Sequence, residues 1–119
     1  MEKNVRKIIL LPLLACLSTQ VQALPADCTL KNADGTTKVI TPNGELLASQ
    51  CYQCHGYEGR SLGEIDSIAG KSASDLYGDL KEFKTNRKKD IMSLQARQYT
   101  DCELDAIANY LSTLPNQGE

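Results

Sequence analysis

Apolar and polar positions divide this chain into segments of different character. Residues 8–17 (IILLPLLACL) form one continuous apolar run. Residues 24–41 show no helical period and contain the turn signal Asp34-Gly35, which leaves room for a short hairpin. A helix start follows at Pro42-Asn43. Asn43 can cap it, Glu45 sits in the first turn where the helix dipole favours a carboxylate, and Leu46, Leu47 and Ala48 lead on to Cys51. Gly56 and Gly59 break the pattern, and the glycine- and serine-rich stretch 56–72 reads as loop. Ser72 or Ser74 can cap a second helix through about residue 85, with Leu76, Leu80 and Phe83 as its apolar stripe. Residues 86–99 hold a basic run and Met92, expected in a loop. Thr100-x-x-Glu103 is a capping box for a last helix, whose one face is Leu104, Ile107, Ala108 and Leu111 and which Pro115 and Gly118 end. No segment alternates convincingly as a strand. The pattern predicts an all-α domain of three main helices joined by long loops.

The apolar run at 8–17 belongs to something other than that domain. Lys3, Arg6 and Lys7 precede it and Val21-Gln22-Ala23 follows, the plan of a secretory signal peptide. The run is shorter than the ~20 residues needed to span a bilayer. Cleavage after Ala23 is expected, giving a signal over 1–23, an extension over 24–41 and a domain over 42–119, with no transmembrane segment left. The competing reading is a lipobox at Leu13-Leu14-Ala15-Cys16, which would leave a lipid on Cys16. Either way the mature chain works outside the cytoplasm, and the periplasm is the expected compartment.

Removing the signal changes the charge. The full chain carries −2, and taking away Glu2 and the three cations of residues 1–23 leaves −4. A mildly acidic domain is a poor match to nucleic acid. With no tryptophan and one phenylalanine, Phe83, it has little material for a core. A buried apolar cofactor would supply what is missing.

Cys51-Tyr52-Gln53-Cys54-His55 provides the means of holding one. C-x-x-C-H is read as a c-type haem attachment site. Positions i and i+3 of a helix share a face, so both thiols can add to haem vinyl groups while the next residue presents its imidazole to the iron. A zinc site would need a second ligand pair, and the chain has a single histidine. A thioredoxin-like pair would need a strand before Cys51, and a Cys51–Cys54 disulfide would close a tight loop with nothing to stabilise.

Met92 is the only methionine left after signal removal, 37 residues beyond His55, and is the candidate sixth ligand, with lysine as its rival. Methionine is also a common core filler. Cys28 and Cys102 remain; in an oxidising compartment they either pair, clipping the extension to the last helix, or stay free thiols. Lys81, Lys84, Arg87, Lys88 and Lys89 form a basic patch leading up to Met92. It reads equally as a solvated face or as a docking ring for an acidic partner.

From Gly44 to Leu114 the chain resembles a class I cytochrome c. The stretches that carry this are Cys51–Arg60 (CYQCHGYEGR), Ser67–Gly70 (SIAG), Leu80–Phe83 with Arg87 ahead of Ile91-Met92, and Thr100–Leu114 (TDCELDAIANYLSTL). Within the class it is most similar to the haem subunit of flavocytochrome c sulfide dehydrogenases and to the half-domains of cytochrome c4. The resemblance implies one haem c, His55 and Met92 as axial ligands, and an N-terminal helix crossing the C-terminal helix with Tyr110 near their contact. It also implies a partner: an FAD-containing sulfide dehydrogenase subunit that passes electrons to this chain, which is then no enzyme itself. One departure is visible. The family usually has a proline whose carbonyl accepts the Nδ1–H of the proximal histidine, and Asp66 stands where it would be. Electron transfer is thus the expected function, within a flavoprotein complex or as a free shuttle of the cytochrome c4 or c-553 type. A gas-binding sensor would follow if Met92 were not a ligand, and a peroxidase would need acid–base groups that the single histidine, already used, does not supply.

Overall fold

The computed structural model describes residues 28–86 and 88–116. The expected leader, its cleavage point, Cys16 and Arg87 lie outside the described residues.

The first helix starts where Asn43 caps it, its Oδ1 accepting from the Leu46 amide at 3.0 Å. It runs as α1 (Gly44–Ala48), a 3₁₀ turn (Ser49–Cys51) and α2 (Tyr52–His55), with Ala48, Ser49, Cys51 and Tyr52 all right-handed helical at the junctions. Gly56 stops it with φ +79°, a conformation that costs glycine little. The second helix, α3 (Ala73–Thr85), is capped by Ser72 rather than Ser74, the Ser72 Oγ accepting from the Asp75 amide. A short α4 (Ile91–Ala96) follows, capped by Asp90. The last, α5 (Asp101–Ser112), carries the expected capping box: Thr100 Oγ1 accepts from the Glu103 amide and the Glu103 carboxylate accepts from the Thr100 amide at 2.8 Å.

These helices pack around α5. Leu104, Ile107, Ala108 and Leu111 are buried along one of its faces and meet Ala48 from α1 and Leu76 from α3. Leu47, Tyr52, Ile68, Tyr77, Leu80, Tyr99 and Tyr110 surround that cluster. Each fully buried leucine or isoleucine contributes ~1.5–3 kcal/mol, so this small set carries much of the fold. The first helix and α5 approach closely because Gly44 has no side chain; a Cβ there would lie 2.2 Å from the Ala106 carbonyl oxygen and 3.0 Å from Tyr110 Cβ. The helix crossing and the place of Tyr110 therefore match what the resemblance implied.

The short hairpin that Asp34-Gly35 left room for is present, and one feature differs from the sequence pattern. Residues 29–39 form an antiparallel hairpin, β1 (Thr29–Lys31) with β2 (Thr37–Val39), in register Leu30 opposite Lys38. Its turn is made by Asp34, whose Oδ1 accepts from the Thr36 amide and hydroxyl, and by Gly35 at φ +84°. Both strands are exposed throughout, so neither needs the apolar alternation that marks a half-buried strand. Met92, expected in a loop, lies in the first turn of α4, because Asp90 supplies a cap (its Oδ1 accepts from the Ser93 amide at 2.7 Å) that starts a helix at Ile91, one residue earlier.

Candidate functional site

Cys51 and Cys54 sit one turn apart at the end of the first helix, both as unpaired thiols. Cys54 is exposed and Cys51 half-buried. Burial pushes the Cys51 thiol up from its ordinary range, and the neighbouring Cys54 adds to this. His55 closes the helix as its last residue.

The His55 ring is fixed from behind. Its Nδ1 lies 2.6 Å from the Asp66 carbonyl oxygen. A carbonyl can only accept, so Nδ1 carries the proton and Nε2 keeps its lone pair for a metal. The loop bringing Asp66 round is itself braced. The Gly59 carbonyl accepts from the Ile68 amide at 2.8 Å and the Ala69 amide at 3.2 Å, the Ser61 amide donates to Ser67 Oγ at 2.9 Å, and the Gly70 amide donates to the Leu111 carbonyl on α5. Asp66 thus offers by its backbone what a proline carbonyl offers elsewhere in the class.

Met92 is half-buried but is not among the side chains packed on the α5 core. That position is a poor one for a core filler. The segment carrying it is held by a residue the sequence did not single out: Arg97 donates through Nε to the Ser93 carbonyl at 2.8 Å and through its guanidinium to the Lys88 carbonyl at 2.6 Å. A lone arginine in a polar stretch gives no signal of that role.

The basic patch divides. Lys81 and Lys84 both reach Asp101 at the start of α5, Lys84 at 2.6 Å, and so tie α3 to α5. Their attraction holds the Asp101 carboxyl below the usual range, the Lys81 hydrogen bond first. Lys88 and Lys89 are exposed. Cys28 and Cys102 are buried and joined, with Cα atoms 5.0 Å apart, so the hairpin is tethered to the first turn of α5.

These residues fit a covalently held porphyrin. Two unpaired thiols one turn apart match its vinyl groups, and an imidazole with Nδ1 already bound matches its iron. Among the described residues no cluster of three or more His, Cys, Asp or Glu offers a competing metal site. Leu62, Ile65, Ile91 and Leu94, on the segments after His55 and around Met92, are exposed by 100, 47, 74 and 52 %. A domain this poor in core benefits from an apolar group that covers such surface.

Comparison with known proteins agrees. The family model for cytochrome c matches residues 43–115. The chain is 38% identical over 77 residues to the cytochrome subunit of sulfide dehydrogenase of Chlorobaculum tepidum, covering 64% of this chain and 70% of that protein. It is 37% identical over 73 residues to a cytochrome c-553 of Helicobacter pylori, 59% of this chain and 76% of the relative. A cytochrome c-553 of Nitratidesulfovibrio vulgaris is 30% identical over 88 residues, 69% and 86% respectively.

Proposed function

The chain belongs to the cytochrome c family, an electron carrier with one haem c on Cys51 and Cys54, and from that premise we propose that it is a periplasmic haem subunit taking electrons one at a time from a flavoprotein that oxidises sulfide. The observation that carries this reading is the 38% identity to a sulfide dehydrogenase cytochrome subunit through the haem-bearing domain.

When bound, the haem supplies one-electron oxidation and reduction at its iron. The chain's own residues do the rest. Cys51 and Cys54 keep the cofactor from dissociating. The Asp66 carbonyl holds the Nδ1 proton of His55, which fixes the ring and makes Nε2 a stronger donor. Met92 is the sixth ligand in this reading, supported by its place outside the core and by the Arg97 bracing of its segment. Thioether ligation favours a high potential and leaves no open coordination position, which suits electron transfer over chemistry on a substrate.

Residues 1–23 are the export signal in this account, cleaved after Ala23. Residues 24–41 are an extension whose described part is the tethered hairpin, and residues 42–119 are the cytochrome domain. The basic start and short apolar run support the signal. No helix among the described residues is long and apolar enough to cross a membrane.

A free shuttle is the second reading, favoured by the cytochrome c-553 relatives. Gentle purification from the source, with an absorption spectrum and flavin assay across the cytochrome peak, separates the two. Flavin in fixed ratio with haem is the expected result, with sulfide reducing the complex. A flavin-free peak of monomer size would replace it with the shuttle.

A further inference from the structure

A cavity of about 400 Å³ opens between the start of α1, the turn after His55 and α5, and none of Cys51, Cys54, His55 or Met92 lines it. Its walls are aromatic and acidic: Tyr52, Tyr57 and Tyr110, with Glu45 and Glu58. The Tyr52 and Tyr57 ring centroids are 6.5 Å apart with the planes inclined at 50°, so the two rings form a wedge. Tyr52 Oη is buried beside the Tyr110 hydroxyl at the inner end of the cavity. Burial, with the Tyr110 hydroxyl beside it, keeps that phenol protonated well past the ordinary tyrosine range. Glu58 is paired with Arg60, whereas Glu45 has no ion pair among the described residues.

The chemistry of these walls selects an occupant. Tyrosine faces attract cations, most of all when water is displaced. An anion would meet the carboxylate of Glu45 with no ion-pair partner to offset it, and a neutral apolar group would desolvate that carboxylate. Among cations a guanidinium suits the site best: its plane stacks on an aromatic ring while its fork donates to a carboxylate. The rim indicates where it comes from. Leu46 and Tyr57 stand 67 and 76 % exposed at the mouth. Apolar side chains around a polar anchor point are the arrangement of a protein contact, where they exclude water once the partner is seated.

We propose that this cavity is a docking point for an arginine side chain presented by a protein partner. It is separate from the basic residues Lys88 and Lys89.

The test uses reduced, haem-loaded, isotope-labelled full chain followed by NMR. It is titrated with a short peptide holding one arginine between leucines, and with the same peptide holding citrulline, which keeps the shape and loses the charge. Saturable shifts at Tyr52, Tyr57 and Glu45 are expected with arginine alone. Glu45→Gln and Tyr57→Ala should each weaken binding by about threefold or more, the haem spectrum confirming that both variants fold. Equal response to citrulline, no saturable shift at these residues, or variants that bind as the wild type does would overturn the proposal. Tighter binding of spermidine than of the arginine peptide would also overturn it, assigning the cavity to a free small cation.

Discussion

His55 Nδ1 and the carbonyl oxygen of Asp66 are 2.6 Å apart across eleven residues of chain, and this bond leaves Nε2 as the nitrogen that a haem iron would take. The turn between them depends on Gly56. Its φ is +79°, and a Cβ there would lie 2.3 Å from the Arg60 carbonyl oxygen. Gly56→Ala must therefore unfold the turn or shift the loop that carries Asp66. A loss of about 2 kcal/mol or more is expected, with a lower haem-to-protein ratio. Asp66→Ala keeps the accepting carbonyl and should load haem normally. Absorption per milligram and thermal melts of the two variants check this, and a fully loaded, equally stable Gly56→Ala would refute it.

The legibility of this molecule follows what each feature depends on. The C-x-x-C-H run, the Asn43 and Thr100 caps and the Leu104–Leu111 stripe are local, written within a few neighbouring residues, and the sequence displays them. The hairpin at 29–39 carries no alternation because both its faces meet water, so only its turn residues hint at it. Lys81 and Lys84 look like free surface charge until α5 brings Asp101 to them, across 20 and 17 residues. Arg97 likewise gains its role only once the chain folds back on Lys88. Long-range pairings of single polar residues leave no periodic trace.

Met92 as sixth ligand makes a spectroscopic prediction. Six-coordinate iron has no free position, so the reduced protein should not take up carbon monoxide readily at neutral pH. Met92→Ala opens that position and should bind it promptly, with a drop in reduction potential. Prompt binding by the wild type would remove Met92 from the ligand set and favour the sensing alternative.

Cys28 and Cys102 are 74 residues apart in sequence, and their bond ties the exposed hairpin to α5. Closing so long a loop lowers the entropy of the unfolded chain, worth roughly 2–4 kcal/mol. Native protein exposed to an alkylating agent should gain no mass at these cysteines without reductant and two adducts with it. Cys102→Ser, which breaks the link, should lower the melting temperature and free the hairpin to proteolysis while the haem spectrum is kept. Uptake of two alkyl groups without reductant would show that the pair is not bridged in solution.

Asp101 supports two lysines from α3 and sits in the first turn of α5, where the helix dipole also favours a negative charge. Its folded carboxyl is held below the ordinary value of 3.8, so the unfolded chain takes up this proton first as the solution is acidified. The stabilisation is therefore complete above that value and fades as pH falls through it. Asp101→Asn should cost about 1 kcal/mol near neutrality, seen as a melting temperature lower by roughly 4–8 °C. The gap between variant and wild type should close as the pH is taken below 4, because protonated aspartic acid no longer holds either lysine. Thermal melts of both proteins across that range measure it. A gap that stays constant with pH would mean that Asp101 contributes through packing or its hydrogen bonds rather than its charge.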